Sequence, residues 1–157
     1  MNESANTPVY DSARDTQAHI DQVRVLIYDF AGRMFERAAS HDRSKLHEPE
    51  KSVFDEFTPK LKASTYGSDE YAAMLKEMQV ALSHHYANNR HHAEYHNDGI
   101  CGMNLVDLVE MLCDWMAATQ RHANGDIHKS IEINQRRFGY TDELKQIFQN
   151  TVWMFED

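Results

Sequence analysis

The sequence predicts an all-α protein, and three observations carry that prediction. Apolar residues recur at three- and four-residue spacing in one segment after another. No segment sustains the apolar–polar alternation of a half-buried strand. Residues that start and stop helices stand where the periodic stretches begin and end. The expected architecture is a single-domain helical bundle of about five to six helices. It occupies residues 13–157 behind a polar tail, residues 1–12, that carries Pro8.

The first helix is expected from about Ser12 to Ala39, with Val23, Leu26, Ile27, Phe30 and Met34 on one stripe and Asp11 or Ser12 as its cap. The polar segment around Ser40 and Asp42 breaks the pattern. Pro49 suits the first turn of a second helix, which runs to about Lys62 with Val53, Phe54 and Phe57 inward and is weakened by Pro59. After a loop at residues 64–67, Ser68 caps a helix from Asp69 to about Asn88. Asn104 caps the next, Leu105 to about His122, whose near-continuous apolar content marks it as central. Asn124-Gly125 ends it. Further helices run from about Ile127 to Arg137 and from Thr141 to Phe155, separated by Gly139. Val152, Trp153 and Phe155 suit either closure of the core or a homodimer contact.

The chain has 157 residues, enough for one domain that buries roughly 70% of its unfolded surface. Its net charge of -9 argues against a surface that tracks long nucleic acids. No stretch approaches the roughly 20 apolar residues of a membrane span, and the N-terminus shows no secretory signal. Cys101 and Cys113 make no disulfide framework, and Cys113 reads as packing in the central helix. A reducing cytoplasm is the expected setting. The unusual number is ten histidines, the commonest metal ligand among side chains.

Four constellations could carry chemistry. His41-Asp42, ahead of Arg43, Ser44 and Lys45, places two ligand types side by side, diverging by about 100° if helical. A capping Asp beside a surface His is the plain alternative. His19 falls on the stripe of Val23, Leu26 and Phe30, where a hydrogen-bonded core histidine is the simpler reading. Residues 84–96 hold His84, His85, His91, His92 and His96. His85 continues the stripe of Leu75, Met78 and Leu82, and neutral imidazoles in such a cluster suit zinc, iron, manganese or cobalt. Asp107, Glu110 and Asp114 share one face of the central helix. A buried acidic stripe needs a metal ion, a histidine or an arginine as partner. No Gly-rich phosphate loop, Gly-x-Ser-x-Gly or His-Glu-x-x-His is present.

The order His19, His41-Asp42, histidine cluster, Asp114 resembles the HD-domain superfamily of metal-dependent phosphohydrolases. His41-Asp42-Arg43-Ser44-Lys45 is similar to its His-Asp-x-Gly-Lys word, with Ser44 in place of glycine. The departure bears on phosphate positioning, because glycine permits closer backbone approach. His41-Asp42-x-Ser44-Lys45, His84-His85, His91-His92 and Glu110-Met111-x-x-Asp114-Trp115 resemble, more narrowly, a family of small bacterial and phage proteins of unknown function.

The resemblance implies an all-α, HD-domain-like fold holding one or two divalent ions (Mn, Fe, Co, Zn or Mg). It implies His19, His41, Asp42, His85, His92 and Asp114 as ligands, with His84 and His91 the alternatives to His85 and His92. Asp107 is the alternative to Asp114. Lys45, with Arg43 or Arg90, would bind a substrate phosphate, and Glu110 would orient a histidine. Asp42, Lys45 and Glu110 would then carry hydrolysis of a nucleotide or another small phosphate ester by a metal-activated water. Two other readings share the scaffold: a di-iron oxygenase, and a non-catalytic metal-binding or interaction protein.

Overall fold

The structure, a computed structural model, describes residues 10–65, 68–121 and 124–156. The described residues are all-α, as predicted. They form α1 (Ala13–Ser40), α2 (Glu50–Ala63), α3 (Asp69–Glu77), α4 (Gln79–Asn88), α5 (Leu105–Thr119), α6 (Ile127–Phe138) and α7 (Asp142–Val152). Short 3-10 turns lie at Arg43–Leu46, Ala93–Tyr95, Gly99–Gly102 and Trp153–Phe155. No described helix is long and apolar enough to cross a membrane.

The chain divides into two units, one up to Glu36 and one from Arg37 onward. The first is most of α1, whose start is fixed by Asp11 accepting from the Ala13 N–H. Its turns carry the ion pairs Arg24–Asp21 and Arg33–Asp29, each stabilising a helix by a few tenths of a kcal/mol, about 0.2–0.5. The stripe Val23, Leu26, Ile27 and Phe30, expected to face a core, is exposed. A lone helix has nothing within its own unit against which to bury an apolar face.

The second unit holds the core. Met111 and Leu112 of α5, Ile131 of α6, Tyr140, and Phe148 and Val152 of α7 form one buried cluster. Trp115 packs on it, stacked with Phe138 and Tyr140 and edge-on to Phe148 at 5.8 Å. Local chemistry sets the helix ends. Ser68 accepts from the Tyr71 N–H, and Asn104 and Asp107 form a reciprocal capping box at the head of α5. Asp126 caps α6, and Gly139 stops it in the left-handed region at φ 68.

Several expectations are corrected. The segment expected as one helix, Asp69 to Asn88, is two, joined at buried Met78, whose ψ of 0 breaks the ladder. By contrast, α2 ends at Ala63, close to its expected end, and continues over Pro59, which removes one N–H donor. The central helix stops at Thr119, and Gly125 lies against its carbonyl, where a Cβ would clash. Cys113 is exposed rather than packed. Val152 closes the core, while Trp153 and Phe155 are exposed.

Phe148→Ala should cost about 3–5 kcal/mol in urea unfolding, since it opens a cavity beneath Trp115. Trp153→Ala should change stability by no more than about 0.5 kcal/mol. Equal costs would contradict this placement of the core.

Candidate metal centre

The site begins where α1 ends. Asp42 takes the left-handed conformation, φ 56, which Asp tolerates better than most residues. That turn follows the end of the helix at Ser40 and starts the 3-10 turn Arg43–Leu46. His85 comes from the last turn of α4, and His91 and His92 from the loop that follows. Asp114 and Glu110 come from α5, one turn apart.

These elements bring four donor atoms together. Asp42, His85, His91 and His92 each offer a ligand atom, and these atoms lie within 4.8 Å of one another. Among the described residues, four atoms of the same residues, Asp42 Oδ1 and the Nε2 of His85, His91 and His92, are the buried side-chain polar atoms without a hydrogen-bond partner. Burying a polar atom unpaired costs about 1–3 kcal/mol, so four converging on one point require an explanation. Asp42 Oδ1 lies 3.2 Å from His85 Nε2 and 3.4 Å from His91 Nε2. Ligands about 2.1 Å from a common tetrahedral ion stand about 3.4 Å apart, so these separations suit a shared cation.

The rings are aimed by carboxylates on their other nitrogens. Glu50, fully buried at the start of α2, faces His85 Nδ1 at 2.9 Å and His84 Nδ1 at 2.7 Å. Ser44 donates to the same carboxylate at 3.0 Å, and Asn89 donates to Ser44. A carboxylate only accepts, so His85 carries its proton on Nδ1 and leaves a bare lone pair on Nε2. Glu110 does the same for His41 (2.9 Å) and His91 (3.2 Å) through one oxygen. Its other oxygen accepts from Arg37 at 2.5 Å. Arg37 reaches on to Asp107 at 2.8 Å, and Arg90 grips Asp107 from the far side through two nitrogens.

A second group adjoins the first. His41 Nε2 is 3.6 Å from Asp42 Oδ2 and 3.7 Å from Asp114 Oδ1, and these three residues also form a ligand-spaced set. Lys45 Nζ sits 2.5 Å from Asp42 Oδ2 and 5.0 Å from the centre of the Phe54 ring.

Charge states follow from these contacts. Burial pushes the His92 imidazole down to about 3, with His91 and His85 beside it adding to the effect, so it is a neutral donor. Burial works against the Asp42 carboxylate, but the positive charge of Lys45 and His41 beside it holds it well below the usual range. Burial likewise opposes ionised Glu110, and His41, His91 and Arg37 overcome it, bringing Glu110 down to about 2. Asp114 and Glu110 raise His41 to about 10.

The residues expected at the site are thus distributed as follows. His41, Asp42, His85, His92 and Asp114 are brought together, and His91 joins them as a full member rather than an alternative to His92. His84 turns to Glu50 and is substantially exposed. Asp107 is saturated by Arg37, Arg90 and its capping role, whereas Asp114 lies in the ligand-spaced set with His41 and Asp42. Glu110 faces the Nδ1 atoms of His41 and His91. His19 is exposed on the first unit. Arg90 is committed to Asp107, and Arg43 is exposed and outside the cleft that Lys45 lines.

Of the remaining histidines, His47 is exposed and His128 pairs with Glu156. His96 is half-buried, with Nε2 2.9 Å from the Arg90 carbonyl. His122 lies outside the described residues. Glu50 and Arg37 are essential parts that sequence reasoning missed. Glu50 carried one faint signal, an acid in a helix's first turn directly after the His-Asp segment.

Linkage gives the pH behaviour of the metal-free protein. His41 is raised from 6.5 to about 10, so its contribution is full below about 6.5 and is lost as pH rises through about 10. Glu110 is lowered from 4.5 to about 2, so its contribution is full above 4.5 and is lost as pH falls through about 2. The pair should therefore stabilise most between pH 4.5 and 6.5. A His41→Gln/Glu110→Gln double-mutant cycle followed across pH checks this, and a coupling energy flat from pH 3 to pH 10 would contradict it.

Comparison with curated proteins and with solved structures gives no match. A family model, described as "Family of unknown function (DUF5662)", matches residues 9–156 and so covers both units and every residue of the cluster. The chain belongs to that family of unknown function.

Proposed function

We propose that this protein is a metal-dependent phosphohydrolase acting on a nucleotide or another small phosphate ester. The observation that carries the reading is the convergence of four unpartnered buried donors, three imidazoles and one carboxylate, at the floor of a cleft with basic residues on its walls. The cleft measures about 840 Å³, within the usual range for small-molecule sites. The resemblance of His41-Asp42 and Asp114 to the HD-domain pattern points the same way.

Asp42, His85, His91 and His92 would hold the ion, a donor set suited to zinc, manganese, iron or cobalt. When bound, a divalent ion supplies an acidified water and a Lewis acid for a phosphoryl oxygen. The chain's own residues do the rest. Glu50 and Glu110 fix the ring orientations, so the donors need not reorganise. Lys45, propped on Phe54 at the cleft floor, supplies the positive charge that a phosphate oxygen requires. Trp115 and Phe138 wall the cleft and restrict water.

Protein purified without an affinity tag should carry stoichiometric metal by elemental analysis, and Asp42→Ala should lose it. Metal absent from both would remove the basis of the proposal. In a screen of nucleoside mono- and triphosphates with added manganese or cobalt, wild type should release phosphate. Lys45→Ala should do so about 10²-fold more slowly. Metal without turnover of any phosphate ester would leave a binding protein in place of a hydrolase.

A second reading, a di-iron oxygenase, draws on one observation. Asp42 belongs both to the three-histidine group and to the His41–Asp42–Asp114 group, the place a carboxylate shared by two ions would take. Two irons per chain would favour it, and Lys45 beside Asp42 has no task in it.

A further inference from the structure

The cleft has two charged ends. At the floor stand the donor cluster and Lys45. At the far end stand Lys62, Arg121 and Lys129, all exposed and all lining the same cleft.

Helix geometry sets the ends apart. Glu50, which orients His85, is the first residue of α2, and Lys62 lies near its last. At about 1.5 Å per residue they are about 18 Å apart along the axis. Asp114 belongs to the cluster, and Arg121 follows the end of α5, about 10 Å further along. α6 runs back beside α5. Its C-terminal Phe138 stacks with Trp115, and its Arg137 pairs with Glu94, next to the cluster loop. Its first turns, with Lys129, therefore lie at the far end. Between the ends the wall is apolar and aromatic, including Leu75, Met78, Trp115 and Ile133.

The far cations are available. Lys62 and Arg121 form no ion pair with a described residue, and Lys129 has only a loose contact with Asp126, 3.6 Å. Asp126 is the acid at that end. Its carboxylate is engaged with the His128 and Lys129 N–H groups at the head of α6.

We infer that the ligand is bipolar: a small molecule with one phosphate at the donor cluster, an apolar or aromatic middle, and a second anionic group held by Lys62, Arg121 and Lys129. This inference deepens the proposed function and rests on its placing a phosphate at the cluster. It excludes simple monophosphates of apolar alcohols as the preferred ligand. It selects compounds whose two anionic groups stand about 10–18 Å apart, the spacing that the helical rise sets between the two ends.

Calorimetric titration of the manganese-loaded full chain tests it, with alkyl monophosphates and α,ω-alkanediol bisphosphates from butane to dodecane as probes. Bisphosphates should bind about tenfold or more tightly than the matching monophosphates once the spacer is long, and not when it is short. The Lys62→Ala/Arg121→Ala/Lys129→Ala variant should bring the long bisphosphates to the monophosphates' level. All three residues are exposed, so the fold should survive, which circular dichroism checks. Metal-dependent binding of monophosphates with no gain at any bisphosphate length would overturn this inference and leave the phosphate reading standing. So would a gain that survives in the triple variant. Absence of metal-dependent binding by every probe would overturn both.

Discussion

The structure of the site depends on how two buried carboxylates hold imidazole rings. Glu50 and Glu110 each accept from the Nδ1 of two histidines. This fixes protons on one edge of the rings and lone pairs on the other. For His85 and His91, the bare Nε2 atoms then face Asp42 Oδ1, a contact between lone pairs that repel one another unless a cation stands between them. The electrostatics of the metal-free protein are therefore those of a centre prepared for positive charge. Carboxylate–histidine pairs of this kind are what give metal sites their orientation and basicity.

The support extends outward in layers. Glu110 ionises despite burial because Arg37, His41 and His91 surround it. Arg37 is shared with Asp107, which Arg90 holds from the other side and which also closes the capping box of α5. The head of the central helix and the orientation of two histidines are thus one network. On the opposite side, Ser44 and Asn89 tie the 3-10 turn after Asp42 to Glu50 and to the end of α4. Breaking either carboxylate would disturb several helices' termini as well as the donors.

Much of this was legible in the chain. The caps at Ser68 and Asn104 mark helix starts because the capping chemistry is local. The acidic stripe on α5 announced that it needed partners, and they are two arginines and histidines together. What the sequence concealed was long-range. Nothing in the spacing of Glu50 shows that it lies beneath His84 and His85, thirty-four and thirty-five positions later. Nothing in Arg37 shows that it faces Asp107 and Glu110. The break at Met78 was hidden because a helical stripe continues in phase across it. On α1, periodicity shows that the helix has an apolar face, and says nothing of what lies against it.

The central claim is that the Nε2 lone pairs of His85, His91 and His92, with Asp42, form one metal-binding centre whose tautomers are set in advance. Long-range proton–nitrogen NMR of the histidine rings, recorded before and after adding one equivalent of zinc, tests it most directly. The account predicts Nδ1-protonated His85 and His91 in the metal-free protein, and a large shift of the Nε2 resonances of all three rings on zinc addition. Nε2-protonated rings, or ring nitrogens that do not move when zinc is added, would contradict it.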